Sequence, residues 1–242
     1  MSTSNRVGIV TGASRGLGAV IARVLAERSF NLIIGARNPG PLEEVARTLA
    51  RRGAHVIPVA GDVTDTGTRA RLVDAARELG GLDLLVNNAS ELGPIGPLMD
   101  FDATRFGRVF PVNAGAPLAL IQAAVPLLEA RHGLIVNVTS DAARGAYEGW
   151  GPYGATKAAL ELLTRTLAAE LAGRGVSAVI VDPGDMRTRM HQEAFPGEDI
   201  SDRPLPEVTA PFWSWLFDQA PAGVNGERFE AQAKDARWLQ HA

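Results

Sequence analysis

The sequence predicts an α/β fold: a doubly wound, about seven-stranded parallel sheet with helices on both faces. Short runs of β-branched residues alternate with longer stretches in which apolar residues recur at i, i+3, i+4 and i+7, which is typical of parallel strands joined by crossover helices. A glycine-rich turn follows the first run. The 242 residues contain no internal repeat or polar linker, so we expect a single domain spanning 1–242.

The predicted elements follow one another along most of the chain. Strands are expected at 6–11, 31–36, 55–60, 82–87, 133–140, 176–181 and 227–230, and helices at 15–28, 41–52, 65–79, 102–130 and 152–172. The alternation stops between 184 and about 224, where prolines and aromatic residues accumulate. Because a long irregular segment in a compact domain is commonly functional, we expect this segment to have a functional role.

Composition excludes several classes of protein. The formal net charge is -3, and basic and acidic residues are interspersed, which argues against a nucleic-acid partner. The chain has no cysteine, so disulfides and thiolate chemistry are excluded. Its four histidines show no metal-ligand spacing, and we expect no catalytic metal. Neither a signal peptide nor a run of about 18 apolar residues occurs, so we expect a cytoplasmic protein with no membrane partner.

A glycine-rich turn, Thr11 to Gly18, leads from the first strand into the first helix. Gly12 would allow the sharp turn, Gly16 would let the backbone approach a pyrophosphate, and Gly18 would let helix and strand pack closely. The free N–H groups of the helix N-terminus would bind the anion. Three glycines can also be turn chemistry alone, but the strand, loop and helix context favours a dinucleotide site in a Rossmann-type fold.

The end of the second strand bears on which dinucleotide binds. An acidic residue about twenty positions after the glycines selects NAD in this kind of fold, but here the strand ends with Ala36 and Arg37. Arg37, together with Arg15 of the glycine turn, could hold a 2′-phosphate through bidentate contacts. The alternative is that both are solvated surface arginines. The missing carboxylate favours NADP(H) over NAD(H).

A second group of polar residues lies where the fifth strand ends. Ser140 closes that strand, and Tyr153 and Lys157 lie four residues apart on one face of the next helix. A positive charge about 4 Å from the phenol could lower its pKa by the roughly three pH units that acid–base work near neutrality requires. The sequence therefore predicts that Lys157 lowers the pKa of Tyr153, and that Ser140 orients the substrate oxygen. The alternative is a surface pair on a helix.

Asn113 lies in a helix that contains Pro117. Proline has no N–H, so the Asn113 carbonyl should lack its helical partner and be free to bind a water at a kink. The simpler alternative is a kinked core helix.

These segments together resemble the short-chain dehydrogenase/reductase family, in its compact single-domain branch. The resemblance rests on Thr11 to Gly18, Asn87 to Ala89, Asn113, Ser140, Tyr153, Lys157 and Pro183 to Thr188. It implies a catalytic tetrad of Asn113, Ser140, Tyr153 and Lys157, with Lys157 also binding the nicotinamide ribose. It further implies that the cofactor contacts Gly12, Ser14, Arg15, Gly16, Leu17, Gly18, Arg37, Asp62, Val63, Asn88, Ala89, Tyr153, Lys157, Pro183, Gly184, Met186 and Thr188.

Two positions depart from the family pattern. Ser90 replaces a glycine after Asn87 to Ala89, and the chain near Asn225 to Phe229 lacks the usual C-terminal sequence. The resemblance implies a homodimer or homotetramer, and the second departure leaves open which. Asp62 could instead cap a helix.

The resemblance also implies that 188–222 forms a substrate lid, and it places Ser90, Tyr147 and Trp150 beneath this lid, beside the substrate. Aromatic walls suggest a largely apolar carbonyl or alcohol substrate, although Trp213 and Trp215 could equally pack a lid helix or a subunit interface. The sequence thus predicts an NADP(H)-dependent oxidoreductase that interconverts a ketone or aldehyde and an alcohol, with Tyr153 as general acid or base. Two alternatives remain: a non-catalytic NADP-binding sensor or scaffold, and an epimerase or dehydratase that uses bound cofactor.

Overall fold

A seven-stranded parallel sheet forms the centre of the computed structural model, which describes residues 6–101, 104, 107, 109–234 and 238. The strands are β1 (Val7–Thr11), β2 (Asn31–Ala36), β3 (Val56–Ala60), β4 (Leu84–Asn87), β5 (Leu134–Val138), β6 (Ser177–Asp182) and β7 (Arg228–Glu230). Their order is β3-β2-β1-β4-β5-β6-β7, and each neighbouring pair is parallel. The predicted fold class is confirmed.

Helices connect successive strands, and each predicted helix before β6 has a counterpart. They are α1 (Gly16–Glu27), α2 (Pro39–Ala50), α3 (Thr66–Glu78), α4 (Ala116–Glu129), α5 (Gly151–Leu171), α6 (Arg189–Ala194) and α7 (Ala210–Phe217). A π-helical turn, Pro111–Gly115, leads into α4. Part of the helix predicted at 102–130 lies outside the described residues.

Two apolar layers cover the sheet, one on each face. Buried residues of α1, α2 and α7 pack on one face, while those of α3, α4 and α5 pack on the other. The central strands are buried on both faces, which explains why they read as continuous apolar runs instead of an alternating pattern.

The helical stretch Pro111–Glu129 is long and apolar enough to cross a membrane by length and composition. Half of it is buried, and Leu120, Ile121 and Leu128 belong to the apolar layer on the sheet. This packing is that of a core helix in an α/β domain.

The predicted lid divides into two parts with different environments. Residues of α6 and the nearby Pro206 line the large cavity described below. The second part, α7, packs against α1 instead, with Phe212 and Trp213 fully buried. The Nε1 of Trp213 donates a hydrogen bond to Thr209 Oγ1 at 2.9 Å. Only the first part of the predicted lid therefore lines the cavity, and Trp213 belongs to the core of its own chain; that 188–222 acts as a lid stays a prediction.

Candidate active site

One cavity of about 1250 Å³ lies at the carboxyl ends of the central strands. This edge is where doubly wound sheets bind their ligands, and the volume exceeds that of an ordinary small-molecule pocket. All the predicted cofactor and substrate residues line it, as do Ser140, Tyr153 and Lys157. Asn113 does not, because it is fully buried beside the cavity wall. The structure thus brings both predicted parts of the site into a single cavity.

The glycine turn is shaped for close contact. Gly12 has a φ of +68°, which favours glycine. A Cβ added to Gly18 would lie 2.3 Å from the Gly12 carbonyl oxygen, so α1 packs directly on the turn, as the sequence predicted. The N-cap residue of α1, Arg15, makes no side-chain capping hydrogen bond, and the first residues of α1 line the cavity, so their N–H groups are available to an anion. The turn fits the pyrophosphate of a dinucleotide.

Asn88 ties the glycine turn to the end of β4. Its Nδ2 donates to the carbonyl oxygens of Thr11 and Gly12 at 2.9 and 3.2 Å, and its backbone N–H donates to Thr11 Oγ1 at 3.0 Å. The neighbouring Ala89 N–H donates to the same hydroxyl. These bonds fix the shape of the turn, so the side chain of Asn88 supports the cofactor site through the backbone of Gly12.

The end of β2 carries the charge expected for a phosphate. Arg37 is exposed and pairs with Glu91, which follows β4, and Arg15 lines the same cavity.

Asp62 is not a helix cap: its Oδ1 accepts from the N–H and hydroxyl of Thr64 at 2.8 and 2.7 Å. The cap of α3 is Asp65, which accepts from the Thr68 N–H. Asp62 is therefore not part of the helix cap, and it lines the cavity together with Arg37.

Tyr153 is buried near the middle of the cavity wall, with 7% of its surface exposed. Burial raises the pKa of Tyr153 to about 12, and hydrogen bonds with the Ser140 and Ser90 hydroxyls offset only part of this rise. The negative charge of Asp182 raises the pKa further. The lowered pKa predicted for Tyr153 is therefore not found in the chain itself, because burial of the phenol raises the pKa more than its hydrogen bonds lower it.

Lys157 is the buried cation of the site. Its Nζ donates to the Val138 carbonyl oxygen at 2.9 Å and lies 5.6 Å from the centre of the Tyr153 ring. Among the described residues no carboxylate is within ion-pair distance of it, and burial lowers the pKa of Lys157 to about 8. The four-residue spacing on α5 does place phenol and ammonium on one face, as the sequence predicted.

Asn113 sits in the π-helical turn, where Pro117 interrupts regular bonding as expected. Its side chain is fully used: Oδ1 accepts from the Glu91 N–H at 2.8 Å and from the Ser90 hydroxyl at 3.1 Å. Its Nδ2 donates to the Glu91 carbonyl and to Thr156 Oγ1. Asn113 thereby fixes the segment after β4 against α5. The water on its carbonyl stays a prediction.

Aromatic and apolar side chains form the wall beside Tyr153. Trp150 meets the Tyr153 ring edge-on at 5.8 Å and lies 5.9 Å from Phe195 of the segment after α6. Leu92 and Met190 complete this apolar cluster. Of the predicted substrate residues, Ser90 and Trp150 therefore lie next to the phenol, and Tyr147 lines the same cavity.

Sequence reasoning missed Asp141. Its two carboxylate oxygens accept hydrogen bonds from the Ser140 hydroxyl at 2.9 Å and from the Tyr147 hydroxyl at 2.6 Å. Its position directly after Ser140 was the available signal. Asp141 holds two of the predicted site residues in place.

A second missed group lies behind the cavity wall. Glu161 is one turn beyond Lys157 on α5, and its carboxylate meets the buried guanidinium of Arg228 together with that of Asp182. The sequence signal was a glutamate on the inner face of α5, but its partner is sixty-seven residues away.

Known proteins share this fold and these segments. The family model for short chain dehydrogenase matches residues 6–199. The chain is 35% identical over 236 residues to dehydrogenase/reductase SDR family member 4 of Pongo abelii, covering 93% of this chain and 85% of that protein. A short chain dehydrogenase structure from Pseudomonas syringae superposes with a TM-score of 0.88 at 34% identity, covering 94% of each chain.

Another solved structure was determined with a ligand. It is a short chain dehydrogenase from Shigella flexneri 2a str. 301 complexed with NADP, with a TM-score of 0.86 and 29% identity, covering 94% of this chain and 97% of that one. The match of the family model to most of the chain, the curated relative and the sheet order agree. The chain therefore belongs to the short-chain dehydrogenase/reductase family of oxidoreductases.

Proposed function

We propose that this protein is an NADP(H)-dependent oxidoreductase that interconverts a ketone or aldehyde and the corresponding alcohol, with Tyr153 as the acid or base. The observation that carries the proposal is the shared cavity: the buried phenol of Tyr153, Ser140 and Lys157 line the same cavity as the glycine turn. Membership of an oxidoreductase family supports it.

The raised pKa of Tyr153 favours carbonyl reduction near neutral pH. A phenol whose pKa is about 12 is protonated there, so it can donate its proton to the carbonyl oxygen while a hydride adds to the carbonyl carbon. Bound NADPH would supply that hydride. Ser140 would hold the carbonyl oxygen beside the phenol, and Lys157 would hold the nicotinamide ribose. The product is an alcohol, and the tyrosinate regains its proton from solvent.

Charge at the end of β2 supports NADP(H) over NAD(H). Ala36 stands where a carboxylate would select NAD, and Arg37 and Arg15 line the cavity there. The Shigella flexneri relative was solved with NADP. The apolar wall of Trp150, Phe195 and Leu92 supports a largely apolar carbonyl substrate.

A panel of apolar ketones and aldehydes, assayed in parallel with NADPH and NADH, tests the proposal. We expect loss of reduced-cofactor absorbance with at least one carbonyl, and a kcat/KM at least about tenfold higher with NADPH. Equal or better turnover with NADH would overturn the cofactor assignment. Cofactor binding with no turnover of any carbonyl would favour a sensor or scaffold, and a product formed with no net change in the cofactor would favour an epimerase or dehydratase.

The two tyrosines of the chain provide a matched pair of variants. Tyr153→Phe should lower kcat about 100-fold to 10,000-fold, because it removes the proton donor. Tyr147→Phe removes a hydroxyl that contacts Asp141, and should change KM with a much smaller effect on kcat. Equal kcat in the parent and Tyr153→Phe would contradict the role of Tyr153. The cytoplasmic location and the homodimer or homotetramer stay predictions.

A further inference from the structure

Arg228 of β7 is a buried cation that lies outside the cavity. Its Nε bonds Glu161 Oε1 at 2.9 Å, and its Nη2 bonds Asp182 Oδ2 at 2.8 Å. The three side chains are 9%, 3% and 7% exposed. Its Nη1 also meets Glu230, which is exposed. Removing three charges from water is costly, so this buried network calls for a structural or functional explanation.

Each carboxylate of this network holds a segment that ends in the active site. Glu161 Oε1 accepts from the hydroxyl of Thr139, the residue before Ser140, at 3.2 Å. Asp182 Oδ1 accepts from the Gly184 N–H at 3.0 Å, in the turn that leads to Met186 and Thr188. The guanidinium therefore links, through two carboxylates, the ends of β5 and β6 that line the cavity.

The network also acts on the site through its charge. The negative charge of Asp182 raises the pKa of both Lys157 and Tyr153. Arg228 pairs with the Asp182 carboxylate from β7 and lowers the pKa of Asp182, while Asp141, after β5, adds a second negative charge that raises the pKa of Tyr153.

The remaining charged partners of the network lie on its solvent side. Arg144 and Arg165 reach Glu161 Oε2 at 3.3 and 3.5 Å, and both are about half exposed. Solvent screens such pairs, so Arg228 is the counter-charge with the strongest hold on the two buried carboxylates.

We propose that Arg228 is a positioning residue for the reaction: it fixes Glu161, behind the cavity wall, and Asp182, in the wall, and it limits the negative field that Asp182 exerts at Lys157 and Tyr153. The inference rests on the proposed function for its consequence in turnover, but its physical core is a property of the chain alone. It assigns a role in the site to a residue that touches neither substrate nor cofactor.

The lysine content of the chain makes the field measurable. Lys157 and Lys234 are its two lysines, so NMR of protein labelled with ¹³C at the lysine side chains gives two signals, and a Lys234→Arg variant assigns them. We expect Lys157 of the parent to titrate near pH 8. In Asp182→Asn this midpoint should fall, and in Arg228→Met it should rise, each by about one pH unit. The double variant should return toward the parent.

Two further variants separate charge from packing. Glu230→Gln removes the exposed partner of Arg228 and should leave the Lys157 midpoint within about 0.3 pH units. Arg228→Lys keeps the charge without the bidentate geometry. Compared with Arg228→Met, it should return the Lys157 midpoint to nearly the parent value, but should recover less of the parent melting temperature. In the reductase assay, Arg228→Met should lower kcat about tenfold with a smaller change in the KM for NADPH.

The Asp182→Asn variant is the decisive one, because its Lys157 titration can be measured even if Arg228→Met does not fold. An unchanged Lys157 midpoint in folded Asp182→Asn would overturn the proposal and leave the network a structural ion cluster. Because the titration needs neither cofactor nor substrate, a failure of the proposed function would appear separately, as the expected midpoints without carbonyl turnover.

Discussion

Lys157 and Arg228 are both buried cations, and they differ in what surrounds them. Arg228 lies between two buried carboxylates, whereas Lys157 has the Val138 carbonyl as its hydrogen-bond acceptor. The pKa of Arg228 is raised despite burial, because Glu161 and Asp182 favour its charge, while burial lowers the pKa of Lys157 to about 8. A paired buried charge stays ionised and holds structure, and an unpaired one becomes titratable near working pH.

Replacing Lys157 with methionine should have the largest effect, because it removes the unpaired buried charge. A free lysine keeps its proton up to about pH 10.5, whereas Lys157 in the folded chain releases it near pH 8. Below pH 8 the charged buried lysine therefore costs the folded state up to about 3 kcal/mol, and the cost vanishes as pH rises through 10.5. Lys157→Met should be more stable than the parent at pH 7 and equal to it near pH 10.5, by urea denaturation.

The same variant should lose turnover by at least about 100-fold, because it removes the cation beside Tyr153. Lys234→Met, at an exposed position, is the control and should change neither quantity. A Lys157→Met protein that is less stable than the parent at pH 7 would contradict the assignment of Lys157 as a destabilising charge.

Glu161→Gln tests the paired side of the comparison. It leaves Arg228 with one buried carboxylate, which should cost about 3 kcal/mol of unfolding free energy. Burial alone would raise the pKa of Glu161, but the hydrogen bond and charge of Arg228 lower it below its usual 4.5. Its stabilisation is therefore fully present above about pH 4.5 and is lost as pH falls below that, so parent and variant should converge in acid.

Glu170→Gln provides the matched control, since Glu170 is an exposed residue of the same helix. It should change stability by less than about 0.5 kcal/mol. Equal stability of Glu161→Gln and the parent at pH 7 would show that the network contributes nothing to the fold.

The two cations also differ in how far the sequence could predict them. Lys157 was found because its partner Tyr153 is four residues away, and a helical repeat converts that spacing into contact. Arg228 meets Asp182 and Glu161 across 46 and 67 residues, and no local pattern encodes that pairing. The strands and the glycine turn were predictable for the same local reason, whereas the core packing of Trp213 was left undecided because it depends on α1.

The pKa of Tyr153 shows the same limit. Spacing alone predicted a pKa lowered by Lys157, but the shift depends on how completely the fold buries the phenol. Desolvation is set by residues from several elements, so it could not be derived from the local sequence.

Arg37 extends the comparison to an exposed cation, which should contribute to binding without affecting stability. Arg37→Gln should raise the KM for NADPH about tenfold, because it removes one of the contacts proposed for the 2′-phosphate, and should leave the KM for NADH and the melting temperature unchanged. Arg47→Gln, an exposed arginine of α2, controls for net charge. An equal rise of the KM values for NADPH and NADH would place Arg37 elsewhere in the cofactor site.

Ser90 should have the smallest effect, because it acts on the Tyr153 phenol through the dipole of its hydroxyl instead of a charge. Its hydroxyl bonds Asn113 Oδ1 at 3.1 Å and lowers the pKa of Tyr153 against the effect of burial. Ser90→Ala and Ser90→Gly should each raise that pKa, slow turnover about fivefold and move the pH profile of alcohol oxidation upward. If both variants keep the parent profile, Ser140 alone stabilises the phenolate. The pH profile of alcohol oxidation should also be measured for Asp182→Asn. If the Ser90 variants move this profile less than Asp182→Asn does, charged groups, more than hydroxyls, set the acidity of Tyr153.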